Sequence, residues 1–304
     1  MEINLPYASN SSHSSSLPSS TGETKGAPLS ALIEVARTYE PERYLAATLA
    51  ADPERAALIA IAAFGADLAR IPATATQPMI GEIRLQWWRD SLELIGNGAR
   101  IGSPLADALR DAVEAYALPV PMLVAMTEAR AWDLYDDPMP DEASLDGYLS
   151  KIESIPFELA LRILGVAPGE AASLSAPAGR AFGLARLLVR LPTDLAAGRV
   201  TFPVTRMTLH GLDVDAFSNV AEVTSFRPMI TETIRDIRDT LATLRPRFVA
   251  LPRRQRVALL PLAVLSPYLR AIERWQYARA QHVTALAPLR RVWRIAGAHL
   301  LGRI

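Results

Sequence analysis

Residues whose types could do chemistry gather in two stretches. The first holds Asp67 and Arg70, in Phe64-Gly65-Ala66-Asp67-Leu68-Ala69-Arg70-Ile71. It continues with Glu82, Arg84 and Trp87, in Gln77-Pro78-Met79-Ile80-Gly81-Glu82-Ile83-Arg84-Leu85-Gln86-Trp87-Trp88-Arg89-Asp90. The second holds Arg186, Arg190, Asp194 and Arg199, between Gly183 and Pro203. A guanidinium fork can hold a phosphate through two hydrogen bonds without a metal. Two carboxylates four residues apart lie on one face of a helix, where both can reach one divalent cation. Two such pairs occur, Asp107/Asp111 and Asp133/Asp137. Asp107 and Asp111 flank Arg110 on a helix whose apolar residues are Leu105, Leu109 and Val113, so they read as solvent-facing. Asp133 to Asp137 falls at a helix end before Pro138, where acids favour turns. Neither pair is assigned to catalysis. His210, His282 and His299 share no ligand spacing, and cysteine is absent. No phosphate loop, nucleophile elbow or zinc pattern occurs.

The elements that must position these residues read as helix after helix. Half of the 304 residues are hydrophobic, mostly Ala and Leu, which are strong helix formers. Asp52-Pro53-Glu54 reads as a helix start, with Asp as the cap and Pro at the first helical position. Pro78 opens the next helix and Gly96-Asn97-Gly98 closes it. Further helices are expected over 104–117, 120–136, 142–165, 170–191, 216–249, 253–281 and 286–302. Pro156 and Pro192 are expected to kink or end their helices. Trp87 and Trp88 are adjacent, so one should enter the core and the other the surface. No segment alternates for long enough to demand a strand. The chain therefore reads as a Ser-rich disordered tail over 1–28 and one all-α domain over 29–304. The tail lacks the apolar segment of a secretory signal, and it lacks Arg and contains Glu23, unlike a mitochondrial transit peptide.

Residues 77–90 resemble a signature of the squalene/phytoene synthase family, in which a similar Arg-x-x-Trp segment opens a helix at the rim of a prenyl cavity. Enzymes of that family join two prenyl diphosphates head to head. Two Asp-x-x-x-Asp motifs on facing helices hold magnesium, which neutralises the departing diphosphate. At 64–71 an Ala and an Arg stand where the first motif's aspartates are expected. The second motif's frame is matched by Gly183, Ala185, Gly198, Arg199 and Pro203. Asp194 aligns with its second Asp, Arg190 replaces the first, Leu187 replaces a Gln, and Pro192 should break the turn between them. Trp132 to Pro140 is also similar to family members that lack the metal motifs. The resemblance spans about 38–285 and extends to the aspartate-poor branch that contains the mitochondrial complex I assembly factor.

The resemblance implies an isoprenoid synthase helical bundle with a central cavity. It places Asp67, Arg70, Glu82, Arg84, Trp87, Arg186, Arg190, Asp194 and Arg199 at the cavity mouth as ligand-binding candidates. No catalytic residue and no metal ligand is assigned. One implied function is a non-catalytic or atypical member acting as a membrane-associated assembly or isoprenoid/lipid-binding factor, with no cofactor. The alternative is an active transferase in isoprenoid biosynthesis that needs Mg2+. In the first case the arginines bind an anionic head group, a prenyl diphosphate or an anionic lipid. They could equally pair with Asp67, Asp194 and Glu82 and fill an inactive site.

Net charge is zero, which gives no argument for a nucleic-acid partner, and none is expected. The charge is unevenly spread: Arg245 to Ile304 contains twelve arginines and one acid, a net +11. Within 286–304, Leu289, Val292, Trp293, Ile295, Leu300 and Ile304 interleave with Arg290, Arg291, Arg294 and Arg303. That pattern fits a helix lying on an anionic membrane, and equally a last bundle helix with basic residues suiting its dipole. A protein partner in complex assembly is the other expectation. The chain is expected in the cytoplasm, or peripheral on the inner face of a membrane.

Overall fold

The computed structural model describes residues 26–75, 77–135, 137–196, 199, 201–212, 223–278 and 286–304. Most of the expected tail therefore lies outside the described residues, as does 216–222 of one expected helix. Fourteen α-helices run through the described chain, and no strand is found among them. The early helices are α1 (Gly26–Tyr39), α2 (Pro41–Ala47), α3 (Glu54–Thr74), α4 (Pro78–Gly96), α5 (Pro104–Tyr116) and α6 (Val120–Ala129). Then come α7 (Glu142–Leu149), α8 (Ile155–Ile163), α9 (Pro168–Ala196) and α10 (Val204–Leu209). The last four are α11 (Arg227–Ala250), α12 (Arg253–Arg256), α13 (Leu265–Ala278) and α14 (Pro288–Leu301).

Several expected helices are subdivided. The stretch expected over 120–136 ends at Ala129 and continues as a 3-10 turn, Trp132–Leu134. The stretch over 142–165 carries a π turn, Ser150–Ser154, with Pro156 in the first turn of α8 just beyond it. A π turn adds one residue to the ring closed by each hydrogen bond, and it re-aims the side chains that follow. The stretch over 253–281 has a 3-10 run, Val257–Val264, between α12 and α13. Asp52 does not cap α3: Pro53 takes the cap position, and Asp52 pairs instead with Arg55 at 3.5 Å. Pro192 does not end α9, which runs on to Ala196. It removes only the bond that its own missing N–H would have made near the helix end, where few turns depend on it.

Two helices form the centre of the bundle. α3 packs against α1, α2, α5 and α8, and α9 packs against α8 and α11. α3 is apolar on nearly all sides, with Ala57 to Phe64, Ala66, Leu68 and Ile71 buried. It is the one helix among the described residues long and apolar enough to cross a membrane, but most of that length is buried inside the bundle. A helix apolar all round belongs in a core or a bilayer, and here other helices cover it. α9 is brought close to the π turn by its glycines. A Cβ at Gly179 would collide with the backbone of Ser154, and one at Gly183 would come within 2.6 Å of Leu149. That close approach sets the floor of the site.

Candidate functional site

The bundle opens into a polar cleft of about 220 Å³. α9 lines one wall with Gly183, Arg186, Leu187, Arg190 and Asp194, which recur at helical spacing. α3 lines the opposite wall with Ala69, Pro72 and Ala73. The segment from Arg130 to Asp137 and the turn from Tyr148 to Glu153 complete it, with Arg199 and Thr201 at the edge.

The floor is a ring of four charges. Glu40, at the end of α1, receives Arg43 at 2.7 Å and Arg186 at 2.7 Å. Glu153, on the π turn, receives Arg43 at 2.7 Å and Arg186 at 3.5 Å. Arg43 also lies over the rings of Phe157 and Phe182, 5.2 and 5.1 Å from their centroids. Burial would raise the Glu40 pKa, but Arg186 and Arg43 outweigh it and hold the carboxyl at about 2. Behind the ring, Arg43 lines a small apolar pocket of about 30 Å³ with Leu58, Ile61 and Phe157 among its walls. That is room for about one water molecule. The ring therefore stands between the polar cleft and the apolar interior.

A second buried group lies on the other wall. Asp133 accepts from Arg130 at 2.8 Å and from the Tyr148 hydroxyl at 2.5 Å. Burial raises the Tyr148 pKa, and the hydrogen-bonded Asp133 raises it further. The Arg130 pKa is also raised: Tyr148 and Asp133 outweigh the effect of burial.

Of the nine candidate residues, four line this cleft: Arg186, Arg190, Asp194 and Arg199. Arg190 and Asp194 share a face of α9 and pair loosely at 3.6 Å, with the Arg190 side chain 64% exposed. Asp194 also accepts from the Thr201 hydroxyl at 3.4 Å, and its carbonyl accepts from the Arg199 N–H at 2.8 Å. The other five do not line the cleft. Asp67 accepts from the indole N–H of Trp88 at 2.9 Å. Arg70 stacks over Tyr39, 4.4 Å from the ring centroid. Glu82 accepts from the Tyr135 hydroxyl, and Arg84 donates to the Thr74 hydroxyl at 2.7 Å. Trp88 is the buried member of its pair and Trp87 the exposed one, their rings packed edge to face.

The α3 wall explains the placement. The side chains it turns to the cleft are at 69, 72 and 73, so positions 69 and 73 have the one-turn spacing of a carboxylate pair, and both are alanine. Asp67 and Arg70 lie on other faces of the same helix. Nothing in the spacing of Glu40, Arg43 and Glu153 along the chain signals that they meet in a buried ring. Asp133 lies in the stretch 132–140 and is partly exposed, and its bond to the Tyr148 hydroxyl comes from another helix, which no local pattern encodes.

The residues present do not fit the magnesium site of a two-motif enzyme. The cleft's lining carboxylates are Asp133, Asp137, Glu153 and Asp194. Glu153 and Asp133 are held closely by arginine, Asp194 pairs only loosely with Arg190, and α3 supplies none. Among the described residues no three acidic or histidine side chains converge to hold an ion.

An all-α bundle with two central helices facing each other across a polar cleft defines the class of the isoprenoid synthases. The family model for squalene/phytoene synthase matches residues 36–293, and the chain belongs to that family. It is 25% identical over 241 residues to the bovine "NADH dehydrogenase (ubiquinone) complex I, assembly factor 6", covering 79% of this chain and 72% of that protein. The human protein of that name is also 25% identical, over 242 residues, with 80% of this chain and 73% of the relative covered. Presqualene diphosphate synthase from Zymomonas mobilis is 27% identical over 154 residues, half of each chain. Among solved structures, squalene synthase HpnC from Alicyclobacillus acidocaldarius superposes with a TM-score of 0.70 at 19% identity, covering 83% of this chain and 95% of that one. A dehydrosqualene synthase in complex with a ligand superposes with a TM-score of 0.78 at 15% identity, covering 90% and 96%. At those identities the structural likeness establishes the fold.

Proposed function

We propose that this chain is a non-catalytic or atypical member of its family. It acts as an assembly or isoprenoid/lipid-binding factor peripheral to a membrane. Its cleft takes an anionic head group, the diphosphate of a prenyl chain or the phosphate of a lipid, on Arg190 and Arg199 without magnesium. The observation that carries this reading is the α3 wall, where Ala69 and Ala73 occupy the two cleft-facing positions one turn apart. The floor adds support: Arg186 is already committed to Glu40 and Glu153, so the more exposed Arg190 is the cation best placed to meet a ligand. The likeness to proteins named as complex I assembly factors agrees with a role in assembling a protein complex.

The likeness to presqualene diphosphate synthases favours the second reading, a magnesium-dependent prenyl diphosphate transferase. The two part in one assay. Purified protein is incubated with labelled farnesyl and geranylgeranyl diphosphates, with and without Mg2+. The expected result is no diphosphate release from folded protein under either condition. Metal-dependent release with a head-to-head product would establish the transferase instead.

A further inference from the structure

α14 presents two faces of opposite character. Its inner face is fixed to the bundle. Ile295 and Ala298 are buried, Arg291 forms an ion pair with Glu42 at 2.9 Å, and the Tyr268 hydroxyl donates to the same carboxylate at 2.8 Å. Arg294 donates to the carbonyl of Ala263 at 3.3 Å, and Arg245 donates to the carbonyl of the terminal Ile304 at 3.0 Å. The helix is therefore held in one rotational setting, and its outer face is presented rigidly.

That outer face is apolar at its centre. Leu289, Trp293 and Leu300 recur at spacings of four and seven residues, so they form one stripe. They are 68%, 70% and 71% exposed. Arg290 and Arg294 run along one flank of the stripe. Arg270 adds a further cation from α13. Burial, then the like charges of Arg270 and Arg290, lower the Arg294 pKa. α14 contains no acidic residue. Arg253, which donates to His299 at 3.2 Å, extends the positive charge toward the helix's C-terminal end.

The geometry points to α14 as an in-plane membrane anchor whose Leu289–Trp293–Leu300 stripe enters the headgroup layer of an anionic bilayer while Arg270, Arg290 and Arg294 meet lipid phosphates. The inference rests on the reading that the protein works at a membrane and names the element that does so. Charge selects the occupant. Apolar side chains with Trp among them, flanked by arginines on a helix free of acids, match a surface that is apolar beneath and negative above. A protein surface would have to supply several unpaired acids around an apolar groove.

The test uses the full chain in flotation with vesicles of phosphatidylcholine alone and of phosphatidylcholine mixed with phosphatidylglycerol. Binding is expected to the anionic vesicles only, and to weaken as salt is added. Arg290→Gln and Arg294→Gln should each weaken partition about fivefold. Trp293→Ala should weaken it further, and brominated lipid should quench the wild type more than Trp293→Phe. Arg290 and Trp293 lie on the outer face, so their variants should keep the wild-type melting temperature, whereas Arg294→Gln also removes the bond to the Ala263 carbonyl and is read only beside its own melting temperature. Anionic-vesicle binding unaffected by these variants, or no binding, overturns the proposal. So does a self-association seen without lipid and lost in Trp293→Ala, which would make the occupant a second copy. Failure here leaves the diphosphate assay untouched, whereas magnesium-dependent turnover with normal vesicle binding would overturn only the non-catalytic reading.

Discussion

Glu40 is 2% exposed and still ionised, because two guanidinium groups close on it from opposite sides. Its pKa falls from the ordinary 4.5 to about 2. The unfolded chain therefore takes up a proton at a higher pH than the folded one. The stabilisation is complete above pH 4.5 and is lost as the pH falls toward 2. Between pH 6 and pH 3 this one group should cost the fold roughly 2 kcal/mol. Urea unfolding of the wild type and of Glu40→Gln at those pH values checks it. The variant should be less stable at pH 6, because it weakens a buried ion network. Its stability should fall less steeply with acid, and an equally steep fall would show that Glu40 is not the group responsible. Pro192 predicts a broken turn between 190 and 194, but α9 runs through it and the two side chains share a face, because so near the helix end the proline removes one hydrogen bond and leaves the turn standing. The partners of Asp67 were not legible in the sequence, because Trp88 reaches it from another helix across twenty-one residues of chain.

At the scale of elements, the cleft depends on α9 lying against the π turn. Helix propensity alone favours Gly179→Ala by about 1 kcal/mol. The Ser154 backbone leaves no room for the added carbon, and backbone cannot swing aside as a side chain tip can. Overpacking of that kind costs about 1–3 kcal/mol. Gly179→Ala should therefore lower stability in denaturant melts, and Gly169→Ala, where nothing stands within reach, should not. Equal stability for both would mean that the two elements are not so tightly seated. The helices themselves were readable from Pro, Gly and the 3.6-residue period. The π turn and the 3-10 run at Val257–Val264 were not, although Pro156 just after the one and Pro261 inside the other mark places where the helical ladder loses an N–H donor.

At the scale of the molecule, the cleft's four arginines are matched by four carboxylates, so any anion binding is local to the exposed rim and not a product of a positive field. Inorganic pyrophosphate is the simplest probe of that rim. At a hundred times its dissociation constant a ligand adds about 2.7 kcal/mol to stability. A rise of a few degrees in melting temperature is expected with pyrophosphate, unchanged by EDTA and diminished in Arg190→Gln/Arg199→Gln. A rise that requires added Mg2+ would reverse the reading of the site.

What the sequence by itself determined was the all-α class, the order of most helices, the family frame at 77–90 and 183–203, and the basic C-terminal fifth. Each of these follows from residue type and short-range spacing, which the chain carries whether folded or not. The tertiary structure alone decided which face of α3 meets the cleft. The rotation of a helix that is apolar on nearly every side is fixed by its neighbours and not by its own pattern. That rotation turns Ala69 and Ala73 inward and Asp67 to Trp88. It is also tertiary packing that joins Glu40 to Arg186, 146 residues apart, and so builds the charged floor. Buried ion pairs of that kind depend on which helices meet, and no periodicity along the chain encodes the meeting.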